Sequence, residues 1–555
     1  MTAPAVTTER SVEQGSRRRE PAGTLTGTWT LARLQLRLDR VRTPLWLVGI
    51  VTLVLVSAAS VAGLYPEPED VQRYVATMEL SPNLVSVNRA LNGPGLGFDD
   101  PNLGVVLVNE LAIWGAFAFA LMGIFAVTRH TRAEEDAERA DVVRARRVGR
   151  HASLAAVAVT VTGTQLLAGL VSFAGLLALG FAPVGSTALC AAFVAAGLVF
   201  AAITAVAAQV ASTARATLGL GLAALGVAYL VRATGDLGQR GWSWASPIGW
   251  THQVRAFAGE RWWVLGLSFG VVAVCGVLAT SLADRRDLGS GLVSQRLGPA
   301  HASRWSTVPI GLVLRLQRGA IVGWSIGLLV LGLAYGAVGS DIEQVLRDNP
   351  DMEQFIPAGG RSITDSYVAY TLALGAMLAG GYAIGSVLRL RGEEVDARTE
   401  WVLATPSSRW TWMAAHLAVA VSGSVLVLVA SGLGTGLGLG VATDDLGQVP
   451  RLVGASLSLL PAVLVLVGVA ALAYGWAPRW SMFAWGPLAF VVVVGLFGEL
   501  FRVPMALRWL SPLEHLPMVP AEAVEPVPAV VLTGLAGVLV AAAGVGFRSR
   551  DVPAL

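Results

Sequence analysis

Lysine is absent from this chain, because all 40 of its Lys and Arg positions are arginine. A P-loop nucleotide site needs the lysine of G-x-x-x-x-G-K-[S/T] to reach the phosphates, so the chain cannot contain one. Cysteine is nearly absent, and Cys190 and Cys275 each lie inside an apolar run, which argues against a disulfide framework and a cysteine-based metal site. The six histidines are scattered without metal-ligand spacing, so we predict neither a metal site nor catalytic residues.

Charge is scarce as well. Charged residues make up 14% of the 555 residues and hydrophobic residues 54%, whereas a soluble chain of this length needs far more polar surface. Apolar runs of about 20 residues, the length that crosses a bilayer as a helix, recur along the chain. We therefore predict an all-α integral membrane protein with twelve spans, near 44–64, 104–127, 153–180, 184–210, 215–232, 262–283, 319–338, 366–388, 411–440, 452–475, 481–501 and 527–547.

The arginines fall on one side of the predicted membrane. They cluster before span one, between spans two and three, six and seven, and eight and nine, and after span twelve. The loops on the other side are acidic, as in PEPED at 66–70 and in the stretch 341–353. Because cytoplasmic loops carry the excess of Lys and Arg, this pattern predicts that both termini are cytoplasmic.

One charged segment occurs twice, as RAEEDAERADVVRARRVGR at 132–150 and RGEEVDARTEWVLATPSSR at 391–409. Three shorter motifs also occur twice, in the same order. They are R-L-Q before spans one and seven, W-x-S-P before spans six and twelve, and R-D-[L/V] after spans six and twelve. This ordered self-similarity indicates an internal duplication, and an even number of spans gives both copies the same orientation. We predict a disordered cytoplasmic N-terminus at 1–24, a six-span repeat at 25–290, a cytoplasmic linker at 291–308 and a second six-span repeat at 309–555.

The charged segment is predicted to form a short cytoplasmic helix in each repeat. Thr131 and Glu134 fit a capping box, and the i, i+4 spacing of an intrahelical ion pair occurs at Glu135–Arg139 and at Glu394–Arg398. A solvated helix end that follows the positive-inside rule would explain the arginines, but not the same Glu-Glu and Arg spacing in both repeats. We favour a docking helix for a soluble partner with two equivalent surfaces, most simply a dimer.

Three stretches of the chain resemble a known family. They are the R-x-E-E segment after span two, the R-L-Q segment before span one, and W-x-S-P-[I/L]-G-W…R-x-F-A-G-E-R-W-W from Trp244 to Trp263. They resemble the permeases of actinobacterial ABC-type exporters, in particular the tetronasin-type polyketide-antibiotic and multidrug efflux permeases, over about residues 25–552. The resemblance implies a fused pseudo-dimer in the bacterial plasma membrane that exports hydrophobic or amphiphilic compounds. A separate ATP-binding cassette subunit, in two copies per permease, would bind ATP and Mg, so this chain would be no enzyme and would hold no cofactor.

The resemblance also implies roles for particular segments. Interfacial elbow helices would precede spans one and seven, and LARLQLRLDRVR at 31–42 has the spacing of such a basic amphipathic helix, although an ordinary extension of span one fits equally well. The charged segments would be coupling helices on which the ATPase docks. Their coupling residues would be Arg132, Glu134, Glu135, Arg139, Arg391, Glu393, Glu394 and Arg398.

Three further groups are candidate functional residues. Tryptophans and helix-breaking prolines in the outer loops suggest a hairpin that closes the outer end of the pathway, although a simple aromatic belt fits almost as well. The intramembrane carboxylates Glu110 and Glu499 are functional candidates because of their location, but their shallow depth in the membrane weakens the case for a functional role. A glycine face is predicted to pack against another span. The outer gate candidates are Trp244, Pro247, Trp250, Trp509 and Pro512, and the glycine face consists of Gly432, Gly436 and Gly440.

Two other functions stay open at this point. A proton-driven secondary carrier of the major-facilitator type also has twelve spans in two halves, but its charged loop is shorter and glycine-rich, and no charged residue lies near the middle of a predicted span here. An intramembrane enzyme acting on lipid-linked substrates would need clustered acids or histidines, and none has convincing spacing. The expected partners are the ATPase subunit, the lipid bilayer and a small hydrophobic substrate, with no nucleic acid.

Overall fold

The computed structural model describes residues 23–80, 82–139, 148–238, 241–286, 291–293, 301, 307–339, 362–497 and 503–551. Within these ranges the chain is helical and has no strand, which confirms the predicted all-α membrane protein. The chain divides into two compact units. The first unit comprises residues 1–75 and 88–296, and the second comprises residues 76–87 and 297–555.

The first unit is built around its second and fourth spans, which have the largest buried shares among its membrane-crossing helices. The second span packs against the fourth, which also packs against the third and sixth. Asn102 caps the second span by accepting from the Val105 N–H, and Pro183 starts the fourth, where no helical bond needs its missing N–H. The six spans are Arg42–Leu64, Leu103–His130 with its continuation Arg132–Asp136, Ala152–Ala178, Pro183–Val210, Ala214–Gly238 and Trp263–Ala283.

Shorter helices accompany these spans. Thr28–Leu38 precedes the first span and packs against the third, and it is a separate helix, as expected of an elbow. Pro68–Met78 and Pro82–Leu91 follow the first span along the chain. The 3-10 helix Trp242–Ala245 and the helix Gly249–Gln253 come between the fifth and sixth spans.

The second unit is built around its second, third and fourth spans, which are its most buried membrane-crossing helices. The side chains of Ser362 and Ser408 cap the second and third spans by accepting from backbone N–H groups in the first turn. The spans are Pro309–Val338, Ile363–Val395, Arg409–Ala442, Gln448–Ser458 continued by Leu460–Trp476, and Pro526–Ser549. The shorter helices are Arg398–Leu403, Pro478–Ala484, Trp485–Phe497, Met505–Arg508 and Pro512–His515.

Glycines let the third span of the second unit pack closely on two sides. A Cβ at Gly432 would lie 2.6 Å from the carbonyl oxygen of Leu452 on the fourth span, so the predicted packing of this glycine face is confirmed. A Cβ at Gly434 would lie 2.1 Å from the carbonyl oxygen of Leu329 on the first span. Gly434 therefore belongs to a second close-packed face, which was not among the predicted ones.

Eleven helices of the described residues are long and apolar enough to cross a membrane. The predicted span at 481–501 contains the 13-residue helix Trp485–Phe497, and residues 498–502 lie outside the described part. The elbow expected before span seven is not a separate helix, because Pro309–Val338 runs through the R-L-Q motif without a break. When the two units are aligned on the R-L-Q motif, Asp39, which follows the elbow helix of the first unit, corresponds to the apolar residue Ile321 in the second unit.

Several predicted features lie outside the described residues. They are the N-terminus up to residue 22, most of the linker at 291–308, the acidic stretch at 341–353, and Glu499.

Candidate functional site

Each charged segment turns at a matching residue after its two glutamates. Glu138 and Ala397, which occupy the same place in the repeated pattern, both have a φ of 56°. A non-glycine residue rarely adopts this left-handed conformation, and an α-helix cannot continue through it. The helix of each charged segment therefore stops shortly after the glutamates. In the second unit the glutamates lie in the last turn of the span Ile363–Val395, not in a separate short helix as predicted.

The predicted i, i+4 ion pairs are wrong. Arg139 pairs with Glu134 at 2.8 Å and not with Glu135. Its counterpart Arg398 pairs with Glu393 at 3.3 Å and not with the following glutamate. The left-handed residue breaks the helical register between glutamate and arginine, so the predicted partners no longer share a helix face.

The predicted capping box is wrong as well. Thr131 makes no side-chain cap hydrogen bond, and its hydroxyl donates instead to the carbonyl oxygen of Val127 at 2.7 Å. Thr131 follows the second span directly, so both its backbone N–H and its hydroxyl donate to the Val127 carbonyl in the last turn of that span.

In the first unit, the second glutamate of the pair faces inward. Glu135 accepts from both terminal nitrogens of Arg286, from Nη1 at 2.9 Å. Arg286 follows the sixth span and also donates to Gln209, at the end of the fourth span, at 2.7 Å. Arg132, whose side chain is 1% exposed, donates to Glu135 at 2.9 Å. These bonds connect the charged segment to the ends of the second, fourth and sixth spans.

The second unit repeats this arrangement with different neighbours. Glu394 accepts from both terminal nitrogens of Arg550, at 2.7 and 2.6 Å. Arg550 follows Pro526–Ser549, the last span of this unit, which we call its sixth span because it takes the place of the sixth span of the first unit in the repeat. Tyr474, near the end of the fourth span, donates its hydroxyl to Glu394 at 2.9 Å. We call each of these ion pairs, Glu135 with Arg286 and Glu394 with Arg550, a glutamate–arginine clasp.

A further arginine in each unit binds the end of the sixth span. Arg150, the last residue of the first charged segment, donates to the carbonyl oxygen of Asp284 at 2.6 Å. Its counterpart Arg409 donates to the carbonyl oxygens of Arg548 and Arg550 at 3.3 and 2.6 Å. A helix C-terminus carries unpaired carbonyls and partial negative charge, which an arginine satisfies. The third span, which begins next to these arginines, is thereby joined to the same cluster.

The clasps are buried enough for the loss of one partner to matter. The side chains of Glu135 and Arg286 are 9% and 7% exposed, and those of Glu394 and Arg550 are 8% and 15% exposed. Removing one partner of a buried ion pair costs about 3–5 kcal/mol, whereas the intact pair contributes little net stability because desolvation offsets its attraction. The clasps therefore fix the position of the charged segments more than they stabilise the fold.

The other predicted coupling residues differ in accessibility. Arg139 and Arg398 are exposed, Glu134 and Arg391 are partly exposed, and Glu393 is buried. Four of the eight predicted residues thus face inward, because they are used within the unit. Their role in docking a partner stays a prediction.

Two exposed apolar side chains lie close along the chain to the second clasp. Val395 is 66% exposed, and Trp401, on the short helix Arg398–Leu403, is 81% exposed. Tryptophan is enriched at contact surfaces between proteins relative to the rest of the protein surface. Neither residue was among the predicted functional residues, although a tryptophan inside a charged segment is a signal visible in the sequence. In the first unit Asp136 takes the place of Val395, and the counterpart of Trp401 lies outside the described residues.

Glu110, at the opposite end of the second span in the first unit, belongs to a hydrogen-bond network. Tyr74 donates its hydroxyl to the Glu110 carboxylate. Asn109 donates to the hydroxyl oxygen of Tyr74 and to the side-chain oxygen of Asn88, both at 2.8 Å. Burial and, to a smaller extent, the Glu110 carboxylate raise the pKa of Tyr74 well above its ordinary value. Glu110 thus has local partners, and its functional role stays a prediction.

A buried ion pair in the fifth span of the first unit was missed. This span runs Ala214–Gly238, beyond the predicted end at residue 232, so Arg232 and Asp236 lie inside it, 3.3 Å apart. Arg232 also donates to the carbonyl oxygen of Ala90 at 2.7 Å. Because both side chains are buried and bonded within the unit, we interpret the pair as a structural anchor.

The tryptophan-rich loop of the first unit forms a compact hairpin of short helices. Trp250 donates its ring N–H to the carbonyl oxygen of Trp244 at 2.7 Å, and Pro247 lies in the turn between the two short helices. In the second unit Trp509 is exposed, and Pro512 is buried at the start of a 3-10 helix. The gating role of these residues stays a prediction.

The clasps are mechanical connections between helix ends. Among the described residues, no group of three or more His, Cys, Asp or Glu side chains could hold a metal ion. The charged groups of the clasps are bonded to one another and to helix ends. What the arrangement can do is transmit movement between a charged segment and the spans to which it is tied.

These features define the class of protein: a multi-pass, all-α membrane protein built from two units that share repeated motifs, as in membrane permeases. The chain is 38% identical over 552 residues to the multidrug efflux system permease protein Rv1217c of Mycobacterium tuberculosis (strain ATCC 25618 / H37Rv), an alignment that covers 98% of each chain. Residues 307–548 match the family described as "Multidrug efflux system permease Rv1217c, C-terminal domain". The chain therefore belongs to the family of this permease, and the predicted resemblance to actinobacterial exporter permeases is confirmed.

Proposed function

We propose that this chain is the membrane-spanning permease of an ATP-driven exporter of hydrophobic and amphiphilic compounds, including drugs and antibiotics. The repeated glutamate–arginine clasp carries the proposal. In each unit it ties the charged segment to the ends of the second, fourth and sixth spans. A force applied to the charged segment would therefore move these spans together, as a pathway that opens by span rearrangement requires.

ATP is hydrolysed, in this proposal, by a separate subunit. The absence of lysine excludes a P-loop in this chain. Two clasps of the same construction support two copies of one ATPase, each acting on one unit. The charged segments and both termini then face the cytoplasm, where ATP is available and where the arginine excess predicts them to be.

The contact surface for the ATPase consists of the exposed part of each charged segment. In the second unit this part includes Val395, Arg398 and Trp401. In the first unit it includes Asp136 and Arg139. The two docking surfaces are unequal, since an acidic residue in one takes the place of an apolar residue in the other.

The cargo class rests on the relative and on the composition. The Mycobacterium tuberculosis relative is a multidrug efflux system permease by its printed name. The spans of this chain consist mostly of Gly, Ala, Val and Leu. This composition favours bulky apolar compounds over ions or sugars as cargo.

The composition of the native complex tests the proposal. We would extract the tagged permease in mild detergent and weigh the intact assembly, and expect one permease with two copies of an ATP-binding subunit. Efflux from cells should then stop when ATP is depleted and continue when only the proton gradient is collapsed. A permease that runs alone, with efflux that follows the proton gradient, would contradict the proposal and favour a secondary carrier.

A further inference from the structure

A cavity of about 400 Å³ in the first unit has no part in the clasp. It lies at the end of the unit that carries the charged segment, between the elbow helix Thr28–Leu38 and the first three spans. One wall is charged and polar, and another is apolar and aromatic. A cavity with these two walls fits a molecule with a polar head and an apolar tail.

The charged wall is positive on balance. Asp39 forms an ion pair with Arg129 at 2.7 Å and contacts the ring Nε2 of His130 at 2.6 Å. Arg42, the first residue of the first span, lines the same cavity. Two arginines against one aspartate leave a net positive charge. An anionic head group is therefore favoured over a cationic one.

The apolar wall is partly exposed. The rings of Trp46 and Phe125 lie 5.9 Å apart, centre to centre, on the first and second spans. Phe125 and Leu36 are 40% and 46% exposed although they line the cavity. An apolar tail could pack along these side chains in van der Waals contact.

The cavity wall also contains a threonine with a buried hydroxyl. The Thr128 side chain is 7% exposed and lines the cavity, and its hydroxyl has no hydrogen-bond partner in the part of the chain that the structure describes. A buried hydroxyl without a partner is unfavourable, so this position is a polar one that the packing of the unit does not explain.

The second unit shows that the fold does not require this polar wall. By the spacing of the charged repeat, Val387 and Leu388 stand there in place of Thr128 and Arg129, and by the spacing of R-L-Q, Ile321 replaces Asp39. The space between the first two spans of the second unit is lined by apolar residues such as Leu328 and Leu331. The polar cavity is therefore a property of the first unit and not of the repeat.

We propose that this cavity binds an anionic phospholipid, with its phosphate on Arg42 and Arg129 and an acyl chain along Trp46 and Phe125. The guanidinium group matches the geometry of phosphate, and basic pockets between spans at the cytoplasmic side bind anionic head groups. Placing the lipid in the inner leaflet rests on the orientation proposed above, whereas the choice of an anionic head group rests only on the charges of the cavity. The bound lipid would link the elbow helix to the second span, whose end carries the clasp.

Photo-crosslinking tests this proposal on the permease alone. The purified full-length chain would be placed in phosphatidylcholine nanodiscs with a photoreactive phosphatidylglycerol, irradiated and mapped by peptide mass. We expect labelling to concentrate at 36–46 and 122–130, with little at the matching regions of the second unit, 318–328 and 381–389. Unlabelled phosphatidylglycerol should compete and phosphatidylcholine should not. Equal competition by phosphatidylcholine would overturn the proposal without any variant.

Matched variants separate charge from fold. Labelling of the double variant Arg42→Gln and Arg129→Gln should fall about tenfold, as expected for the loss of a charge-assisted contact of about 1.4 kcal/mol. The double variant Arg42→Lys and Arg129→Lys should keep most of it, and Thr128→Val with Arg129→Leu, which copies the second unit, should lose it. Unchanged labelling in the Gln variant would overturn the proposal, as would displacement of the label by an anionic drug but not by anionic lipid. Since no ATPase and no efflux are involved, failure here leaves the transport proposal intact.

Discussion

At the scale of single residues, the two units use the same arginine and glutamate in different surroundings. Arg286 is supported by Gln209, whereas Arg550 lies over the rings of Tyr474 and Phe547, about 5 Å from each ring centre. Arginine suits both sites because its planar fork binds a carboxylate with two parallel bonds and also stacks on aromatic faces. The pairing is thus kept while the neighbours vary, which indicates that the position of the glutamate is what matters.

Reversing one charge of a clasp should disable it. In Glu394→Arg, Arg550 loses its buried partner and meets a like charge, so we expect a loss of about 3–5 kcal/mol of stability and little export. Adding Arg550→Glu restores an ion pair of opposite polarity and should recover part of both. Thermal unfolding in detergent and drug accumulation in cells are the measurements.

The control for the charge reversal is the pair of Asp396 with Arg398, whose side chains are 50% and 49% exposed. Asp396→Asn should change stability very little, because exposed ion pairs contribute little. If the double reversal at Glu394 and Arg550 is no better than the single one, the clasp is not the reason for the loss.

At the scale of elements, the charged segment depends on where its helix stops. Ala397 has a φ of 56°, so the chain leaves the second span and begins the helix Arg398–Leu403 in a new direction. This change of direction lets Glu394 turn inward to Arg550 while Arg398 stays exposed. The helix end, and not helical periodicity, sets the partners.

Glycine should be favoured at this turn. Ala397→Gly should raise stability by up to about 1 kcal/mol, because glycine adopts left-handed φ without a steric penalty, and Ala397→Val should lower it. Thermal unfolding of the purified variants measures both. Ala404 is the matched control, since its φ is −73°, and Ala404→Gly should not stabilise. A stabilising Ala404→Gly would show that the gain at residue 397 is unrelated to the turn.

Close helix packing in the second unit gives another prediction at this scale. Gly434→Ala should lower the yield of folded protein, because the new methyl group would lie 2.1 Å from a backbone oxygen that cannot move away easily. Gly454→Ala is the control, with nothing within 4 Å of its Cβ, and should be neutral or stabilising. Size-exclusion profiles in detergent measure both. Equal profiles for the two variants would argue against close packing of the first and third spans.

At the scale of the whole molecule, one chain contains two units that share repeated motifs. The units keep the clasp in common and differ elsewhere, in the polar cavity of the first and in the exposed apolar residues of the second. In the proposed function, divergence after duplication lets each unit specialise while both respond to an ATPase.

The proposed inequality of the two docking surfaces is testable. Trp401→Asp should weaken the second ATPase site by roughly 30-fold or more, the loss expected when a central aromatic contact worth about 2 kcal/mol is removed. Native mass measurement over a range of ATPase concentrations should then show assemblies with one ATPase copy. Trp509→Asp, also exposed but in the segment that precedes the last span Pro526–Ser549, is the control and should keep two copies. Two copies retained in the Trp401 variant would remove this residue from the docking surface.

Local properties of the sequence determined much about this protein. The absence of lysine excludes a P-loop, apolar runs predict the long helices, and repeated motifs indicate a duplication, since each of these is readable from neighbouring residues. Only the tertiary structure decided which arginine meets which glutamate. Glu135 and Arg286 are 151 residues apart, and Glu394 and Arg550 are 156 apart. Local spacing favoured a pair between each glutamate and the arginine four residues later. A single left-handed residue in each segment prevents that pair, because ion-pair partners depend on where the helix ends and the backbone turns.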